Sequence, residues 1–112
     1  MLVQLAKIIS ENVRKIDVPI RYGGEEFLII CPNTNEEGAL MLAERIRSAV
    51  EQHNFDIGGG NRINVTVSAG VACFYGSEAK EPETVLHDII NMADQALYYA
   101  KNNGRNNVKL FA

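Results

Sequence analysis

The glycine pair at positions 23 and 24 stands between two apolar segments and restricts what this part of the chain can fold into. A type I′ turn requires positive φ at both central residues, which glycine adopts without steric cost. The pair therefore predicts a two-residue hairpin that joins a short strand at residues 20–22 to a return strand at residues 25–31. Residues 27–31 are all apolar, so both faces of the return strand are predicted to be covered.

Two amphipathic helices are predicted near the ends of the chain, because apolar residues recur there at i, i+3, i+4 and i+7. The first stripe covers residues 2–16 and ends before Pro19, which disfavours helical geometry in the residue that precedes it. The other helix is predicted to begin near Pro82 and to end at a left-handed cap formed by Asn103 and Gly104.

A middle helix and several strands complete the predicted elements. Residues 34–37 have the pattern of a capping box, with Thr34 as the N-cap of the middle helix and Glu37 reaching back. A short edge strand is predicted at residues 55–57, followed by a plain turn at 58–61. Strict alternation over residues 63–71 predicts a longer strand, and residues 108–111 predict a last short one.

With the short edge strand at 55–57 left aside, the predicted order of elements is α-β-β-α-β-α-β, which places the chain in the α+β class. Helices would flank an antiparallel-rich sheet, an α/β sandwich related to the ferredoxin-like βαββαβ plan. That plan fits this chain if one strand is added in front of the first helix.

Length and composition agree with one small domain and exclude several functions. The chain has 112 residues, 46% of them hydrophobic, and no apolar run is long enough to cross a membrane. The net charge of −3 provides no positive field for binding a nucleic acid. Cys31 and Cys73 lie far apart and match no metal or redox spacing, so they are predicted to be small, buried, reduced side chains.

The segment RYGGEEF at residues 21–27 resembles the signature of the GGDEF family, the diguanylate cyclases. Four further segments resemble other elements of that family, in order along the chain. They are RKID at 14–17, AERIR at 43–47, INVTVSAGVA at 63–72 and ADQALYYAKNNGRNNV at 93–108. The resemblance therefore covers essentially the whole chain.

The resemblance implies a nucleotide-cyclase-like fold and a nucleotidyl transfer. Two GTP molecules would condense to cyclic di-GMP with release of two pyrophosphates, each GTP held by one of two domains that face each other. It further implies Mg²⁺ or Mn²⁺, a cytoplasmic location and inhibition by the product. The parent protein would carry an N-terminal sensor or receiver domain, and upstream regions could anchor that parent to a membrane.

The acidic pair at the hairpin is the predicted catalytic centre. By resemblance, Glu25 is a metal ligand and the candidate base for the 3′-hydroxyl, Glu26 is a second metal ligand, and Gly23 and Gly24 let the backbone approach the nucleotide. Carboxylate oxygens are suitable ligands for Mg²⁺ beside phosphates. Consecutive strand residues point to opposite faces, so the roles of the two acids stay open. Two exposed glutamates at a hairpin tip are the plain alternative.

Five charged residues elsewhere are assigned to ligand sites by the same resemblance. Lys101 and Arg105 would bind the triphosphate, although cations at a helix C-terminus are commonplace. Arg14 and Asp17 would form the inhibitory site for cyclic di-GMP, with Arg45 contributed across domains. The alternatives are an ordinary (i, i+3) ion pair and a solvated helix face.

The sequence departs from the family at its start, where typical members carry a DxDxFKxxND-like strand and a GHxxGD turn. Residues 1–112 contain no DxD, so one metal ligand and the guanine-recognition pair are missing, and the chain is predicted to be a single truncated domain. The usual first, central strand would also be missing. Either the chain is a fragment, or two copies pair or exchange strands as a homodimer. The alternative functions are a non-catalytic cyclic di-GMP receptor and a dimerisation module.

Overall fold

The structure, a computed structural model, describes residues 2–23, 26–74 and 81–111. Within these residues the order of elements is α-β-β-α-β-β-β-α-β. The helices are α1 (Leu2–Asn12), α2 (Glu36–Gln52) and α3 (Pro82–Asn102). The strands are β1 (Val18–Gly23), β2 (Glu26–Ile30), β3 (Phe55–Gly58), β4 (Asn61–Ile63), β5 (Ala69–Val71) and β6 (Val108–Leu110). The α+β class is therefore confirmed.

The strands of the described segments form three separate two-stranded sheets. Strands β1 and β2 pair antiparallel, β3 and β4 pair antiparallel, and β5 and β6 pair parallel. Within the described residues, β2 and β5 are each hydrogen-bonded to a neighbouring strand along one edge only. None of the helices described is long and apolar enough to cross a bilayer.

The main core lies between α1 and α2. Buried residues from these helices meet Phe55, the first residue of β3. Phe27 and Ile29 add one face of β2 to this cluster. The buried members of the cluster are Ile8, Ile9, Ile46, Val50 and Phe55.

Helix α3 packs directly on β5 at Gly70. A Cβ built on Gly70 would lie 2.1 Å from the carbonyl oxygen of Ala93 and 2.4 Å from the amide nitrogen of Leu97. Both atoms belong to the backbone of α3, so no side-chain movement could relieve the overlap. The absence of a side chain at position 70 therefore sets the distance between helix and strand.

The hairpin differs from its prediction in one detail. Gly23 belongs to β1 and pairs with Glu26, so the prediction that Gly23 is a turn residue is wrong. The register shifts between Arg21 and Gly23, which identifies a bulge just before the strand ends. Gly24 and Glu25 lie outside the described residues.

Two predicted helix ends are also corrected. Helix α1 ends at Asn12, and Ile16 beyond it is 53% exposed, so the apolar spacing extended past the true helix. The N-cap of α2 is Asn35 rather than Thr34, because the Asn35 side chain accepts a hydrogen bond from the amide of Gly38 at 2.8 Å. Thr34 makes other contacts that bear on function.

The later elements follow the prediction more closely. The predicted turn at 58–61 joins β3 to β4, and Gly58, Gly59 and Gly60 all have positive φ. Helix α3 has Pro82 at its first position, and Gly104 has a φ of 100° just past its end, as predicted. The predicted long strand at 63–71 is wrong, because only residues 61–63 and 69–71 pair with a neighbour.

Candidate functional site

Arg14 and Asp17 form a tight pair in the turn that follows α1. The guanidinium donates to the Asp17 carboxylate through Nη2 at 2.8 Å and Nε at 3.2 Å, and the Arg14 amide donates to Oδ2 at 2.7 Å. The Asp17 amide donates back to the Arg14 carbonyl at 3.1 Å, which closes the turn. The pair is thus held by backbone and side-chain bonds together, unlike a simple ion pair between neighbouring helix positions.

The two partners differ in their exposure to solvent. The Asp17 side chain is fully buried, whereas the Arg14 side chain is 49% exposed. The hydrogen bond from Arg14 lowers the pKa of Asp17 and outweighs burial, which acts in the opposite direction. The same bond raises the pKa of Arg14. At neutral pH the pair therefore presents a fixed, partly exposed guanidinium backed by a buried carboxylate.

Arg14 also joins this turn to the segment between β2 and α2. Its Nη2 donates to the Pro32 carbonyl at 2.9 Å and to the Thr34 hydroxyl at 2.5 Å, and that hydroxyl in turn donates to the Pro32 carbonyl at 3.1 Å. Thr34 is therefore occupied as a partner of Arg14, which explains why the neighbouring Asn35 caps the helix.

Arg45 of α2 reaches the same end of α1. Its Nη2 donates to the carbonyl of Asn12, the last residue of that helix. A cation at a helix C-terminus is favourably placed in the helix dipole. Three residues predicted for one site, Arg14, Asp17 and Arg45, are thus collected where α1 ends and the following turn begins.

Cys31 lies beside this turn, where burial and the charges of Asp17 and Arg14 affect the pKa of its thiol. Burial raises the pKa of the Cys31 thiol to about 11, and the Asp17 carboxylate contributes in the same direction. Within the described residues neither Cys31 nor Cys73 forms a disulfide, and both are half-buried, so the predicted burial is wrong. A thiol with so high a pKa is neutral at physiological pH and is a weak nucleophile.

Lys101 and Arg105 lie at the C-terminal end of α3. Both side chains are exposed, and none of the hydrogen bonds or ion pairs between residues 2–23, 26–74 and 81–111 involves either cationic group. Gly104 between them has a φ of 100°, and Arg105 itself has a φ of 56°. The two cations are therefore presented to solvent from a backbone that leaves the helix in a left-handed conformation.

Of the predicted catalytic residues, the structure describes only part. Glu26 is exposed at the start of β2, opposite Gly23, and its carboxylate is an oxygen donor suited to a hard cation. Glu25 and Gly24 are not among the described residues. In segments 2–23, 26–74 and 81–111, no three His, Cys, Asp or Glu side chains gather in a group that could hold a metal ion.

Several residues with site contacts are missing from the sequence-based prediction. Thr34 contacts Arg14, and the carbonyl of Asn12 contacts Arg45. Arg47 contacts Asn106, which lies in the loop that carries Arg105. Asn106 lies within the family-like segment at 93–108, so its side-chain amide was a signal present in the sequence. The other contacts join residues far apart in the chain and leave no local signal.

The family model for the diguanylate cyclase GGDEF domain matches residues 1–107. The chain belongs to the GGDEF family. Diguanylate cyclase A of Treponema denticola is 42% identical over 110 residues, which cover 98% of this chain but 28% of that protein. The chain therefore spans about a quarter of the length of this curated relative.

Two solved GGDEF structures have the same fold. The active GGEEF domain of a diguanylate cyclase from Vibrio cholerae is 34% identical with a TM-score of 0.84, covering 99% of this chain and 66% of that one. The GGDEF domain of DgcB from Caulobacter crescentus, solved in complex with c-di-GMP, is 30% identical with a TM-score of 0.80. That match covers 95% of this chain and 60% of that chain. The nucleotide-cyclase-like fold expected from the sequence is thereby confirmed.

Proposed function

We propose that this chain is the C-terminal part of a diguanylate cyclase domain, which condenses two GTP molecules to cyclic di-GMP and two pyrophosphates. The observation that carries the proposal is the family match over residues 1–107, which includes the sequence GGEEF at residues 23–27. The cytoplasmic location and an N-terminal sensor or receiver domain in the parent protein are part of the same proposal.

The acidic hairpin is proposed to hold the divalent cation, Mg²⁺ or Mn²⁺, that such a transfer uses. Glu25 and Glu26 would be its ligands, and the exposed position of Glu26 at the start of β2 leaves its oxygens accessible. When bound, a divalent cation neutralises phosphate charge during nucleotidyl transfer. Gly23 and Gly24 would let the backbone approach the nucleotide, and Glu25 would accept the proton of the attacking 3′-hydroxyl.

Lys101 and Arg105 are proposed to bind the triphosphate of GTP. Their exposure and their freedom from other described partners support this role, since a cation already paired would have to give up its partner first. A guanidinium donates two parallel hydrogen bonds to phosphate oxygens, and an ammonium adds a compact charge.

The turn at Arg14 and Asp17 is proposed to be the inhibitory site for cyclic di-GMP, with Arg45 contributing across domains. The half-exposed guanidinium of Arg14 is held rigidly by the buried Asp17 carboxylate, which favours binding of a phosphate or a guanine edge. The GGDEF domain of the relative DgcB was solved in complex with c-di-GMP, which supports the choice of this ligand.

The domain in residues 1–112 is proposed to be truncated. In the described part of the chain, β2 and β5 each have one unpaired edge, and unpaired edges attract further strands. Either an upstream segment or a second copy would supply strands that pair with these edges. Size-exclusion chromatography with light scattering tests this proposal, which predicts association or poor folding and is contradicted by a well-folded monomer.

Turnover assays test whether the 112-residue chain is active alone or only as part of the longer protein. Incubated with GTP and Mg²⁺, the 112-residue chain is expected to form no cyclic di-GMP, because the guanine-recognition and further metal residues are proposed to lie outside it. The same chain extended by its upstream coding sequence is expected to form the product, and Glu25→Gln in that longer protein is expected to abolish turnover. Product formation by the 112-residue chain would contradict the truncation proposal.

A second candidate function is a cyclic di-GMP receptor without turnover. The observation that favours it is that Arg14 and Asp17 form one tight turn, in which the guanidinium is half exposed and the carboxylate is buried. Isothermal titration with cyclic di-GMP is expected to give binding that Arg14→Ala removes. Arg62→Ala, which alters an exposed arginine on β4, is the matched control and should leave the affinity unchanged. Binding with no turnover by the extended protein would favour the receptor, and no binding would leave a dimerisation module.

A further inference from the structure

The loop that carries Arg105 has an unusual backbone. Three consecutive residues, Gly104, Arg105 and Asn106, have positive φ values of 100°, 56° and 47°. Left-handed geometry costs roughly 1–2 kcal/mol for a residue such as arginine, whereas asparagine tolerates it better. Arg105 therefore keeps this conformation because its surroundings hold it.

Asn107 holds the loop to the end of α3. Its side-chain amide donates to the carbonyl of Ala100 at 2.9 Å, of Asn103 at 3.4 Å and of Arg105 at 2.8 Å. The last carbonyls of a helix lack partners within the helix, and a side-chain amide can supply them. One side chain thus joins the last turn of α3 to the backbone of Arg105.

Arg47 holds the same loop to α2. Its Nη1 donates to the Asn106 side-chain oxygen at 2.9 Å, and Glu44 fixes the guanidinium from the other side at 2.5 Å. The Asn106 side chain in turn donates to Glu51, and the Asn106 amide donates to the Ser68 hydroxyl at 3.1 Å. The side chain of Arg47 is only 16% exposed, so its position is well constrained.

The fixed loop affects how Lys101 and Arg105, the two cations on either side of Gly104, are presented to a ligand. Arg47 and Arg14 are each engaged by carboxylates, whereas Lys101 and Arg105 have no such partner in the described part of the chain. The network fixes the backbone of Arg105 and leaves its guanidinium available. A fixed backbone with an available cation is the arrangement that lowers the entropic cost of binding an anion.

We propose that Arg47 and Asn107 are positioning residues for triphosphate binding, acting through the loop at residues 104–106 on Lys101 and Arg105. Neither residue touches the nucleotide in this proposal. The inference rests on the proposed function, because the triphosphate is the ligand that Lys101 and Arg105 would bind. It adds two residues, one on α2 and one after α3, to those assigned from the sequence.

The test uses the chain extended by its upstream coding sequence, with inorganic tripolyphosphate as the probe. Amide shifts of Gly104 and Arg105 in ¹⁵N–¹H spectra give the dissociation constant, at a temperature where thermal unfolding shows each variant to be folded. Arg105→Ala is expected to remove most of the binding. Asn107→Ala and Arg47→Met are expected to weaken it about five- to tenfold, because the loop must then be ordered on binding. Arg62→Met is the matched control and should bind like the wild type.

A conservative variant distinguishes positioning from a general structural role. Arg47→Lys keeps a donor for Asn106 and is expected to restore part of the affinity lost in Arg47→Met. If Asn107→Ala does not fold, the comparison of Arg47→Met with Arg47→Lys decides alone. Wild-type affinity in both Arg47→Met and Asn107→Ala, with loss in Arg105→Ala, would overturn this inference and leave the proposed function standing. Wild-type affinity in Arg105→Ala, or no binding by the wild type, would overturn this inference together with the proposed triphosphate-binding role of Lys101 and Arg105.

Discussion

Gly70 of β5 lies against the backbone of Leu97 in α3, so closely that a Cβ would come within 2.4 Å of the Leu97 amide nitrogen. This contact sets the position of the helix whose last turn carries Lys101. A small residue at a strand centre thus determines where a proposed phosphate-binding group is presented.

Gly70→Ala is expected to destabilise the fold by about 3 kcal/mol or more, because the added methyl overlaps backbone atoms that cannot move separately. Urea unfolding followed by circular dichroism measures the change. Gly58→Ala is the control, because nothing lies within 4 Å of its added Cβ and only its φ of 98° opposes the substitution. That variant should lose roughly 1–2 kcal/mol. Equal losses in the two variants would show that the contact with α3 is unimportant.

Protonation of Asp17 is expected to make stability depend on pH in the acidic range. Pairing with Arg14 lowers its pKa in the folded chain below the ordinary value of 3.8. Its stabilising effect is therefore complete above the unfolded pKa and is lost as pH falls through the lower, folded pKa.

The comparison of wild type with Asp17→Asn isolates this effect, because other carboxylates such as Glu44 are common to both proteins. The wild type is expected to have the larger free energy of unfolding at pH 7, and the difference is expected to shrink as pH drops below about 4. Chemical unfolding at a series of pH values measures it. A constant difference from pH 7 to pH 2 would mean that the pair does not perturb Asp17.

The sequence predicted elements whose cause is local and missed contacts between distant segments. The start of α3 at Pro82 and the glycine cap at Gly104 follow from backbone preferences of single residues, and both were predictable. The long strand expected at 63–71 was not found, because alternation predicts which face a residue takes but not whether a partner strand is present.

In the candidate site too, contacts between near neighbours were predictable and contacts between distant segments were not. The RKID segment indicated Arg14 and Asp17, because residues three positions apart are close enough to form their turn. The bond from Arg14 to Thr34 spans 20 residues, and the bond from Arg47 to Asn106 spans 59. Such pairs depend on how helices and loops pack, which the spacing of residues along the chain does not contain.

The N-cap of α2 provides a direct test of one correction. Asn35→Ala is expected to destabilise the protein by about 1 kcal/mol, because the amide of Gly38 loses its acceptor. Thr34→Ala is the matched variant at the residue that the capping-box pattern indicated. It should cost less helix stability and instead weaken the hold on Arg14, which loses a hydroxyl partner. Thermal unfolding measures both, and the reverse order of stability would restore Thr34 as the cap.

The thiol of Cys31 is expected to be unreactive at neutral pH. Its pKa of about 11, against an ordinary value of 9.0, makes its thiolate fraction at pH 8 about a hundredfold smaller than that of an unperturbed cysteine. In a Cys73→Ala background, the rate of alkylation by iodoacetamide should rise with pH to a midpoint near 11. Adding Asp17→Asn removes a neighbouring negative charge and should shift that midpoint downward. A midpoint near 9 in the Cys73→Ala protein would contradict the burial of Cys31, and an unchanged midpoint after Asp17→Asn would separate the thiol from the Arg14 and Asp17 turn.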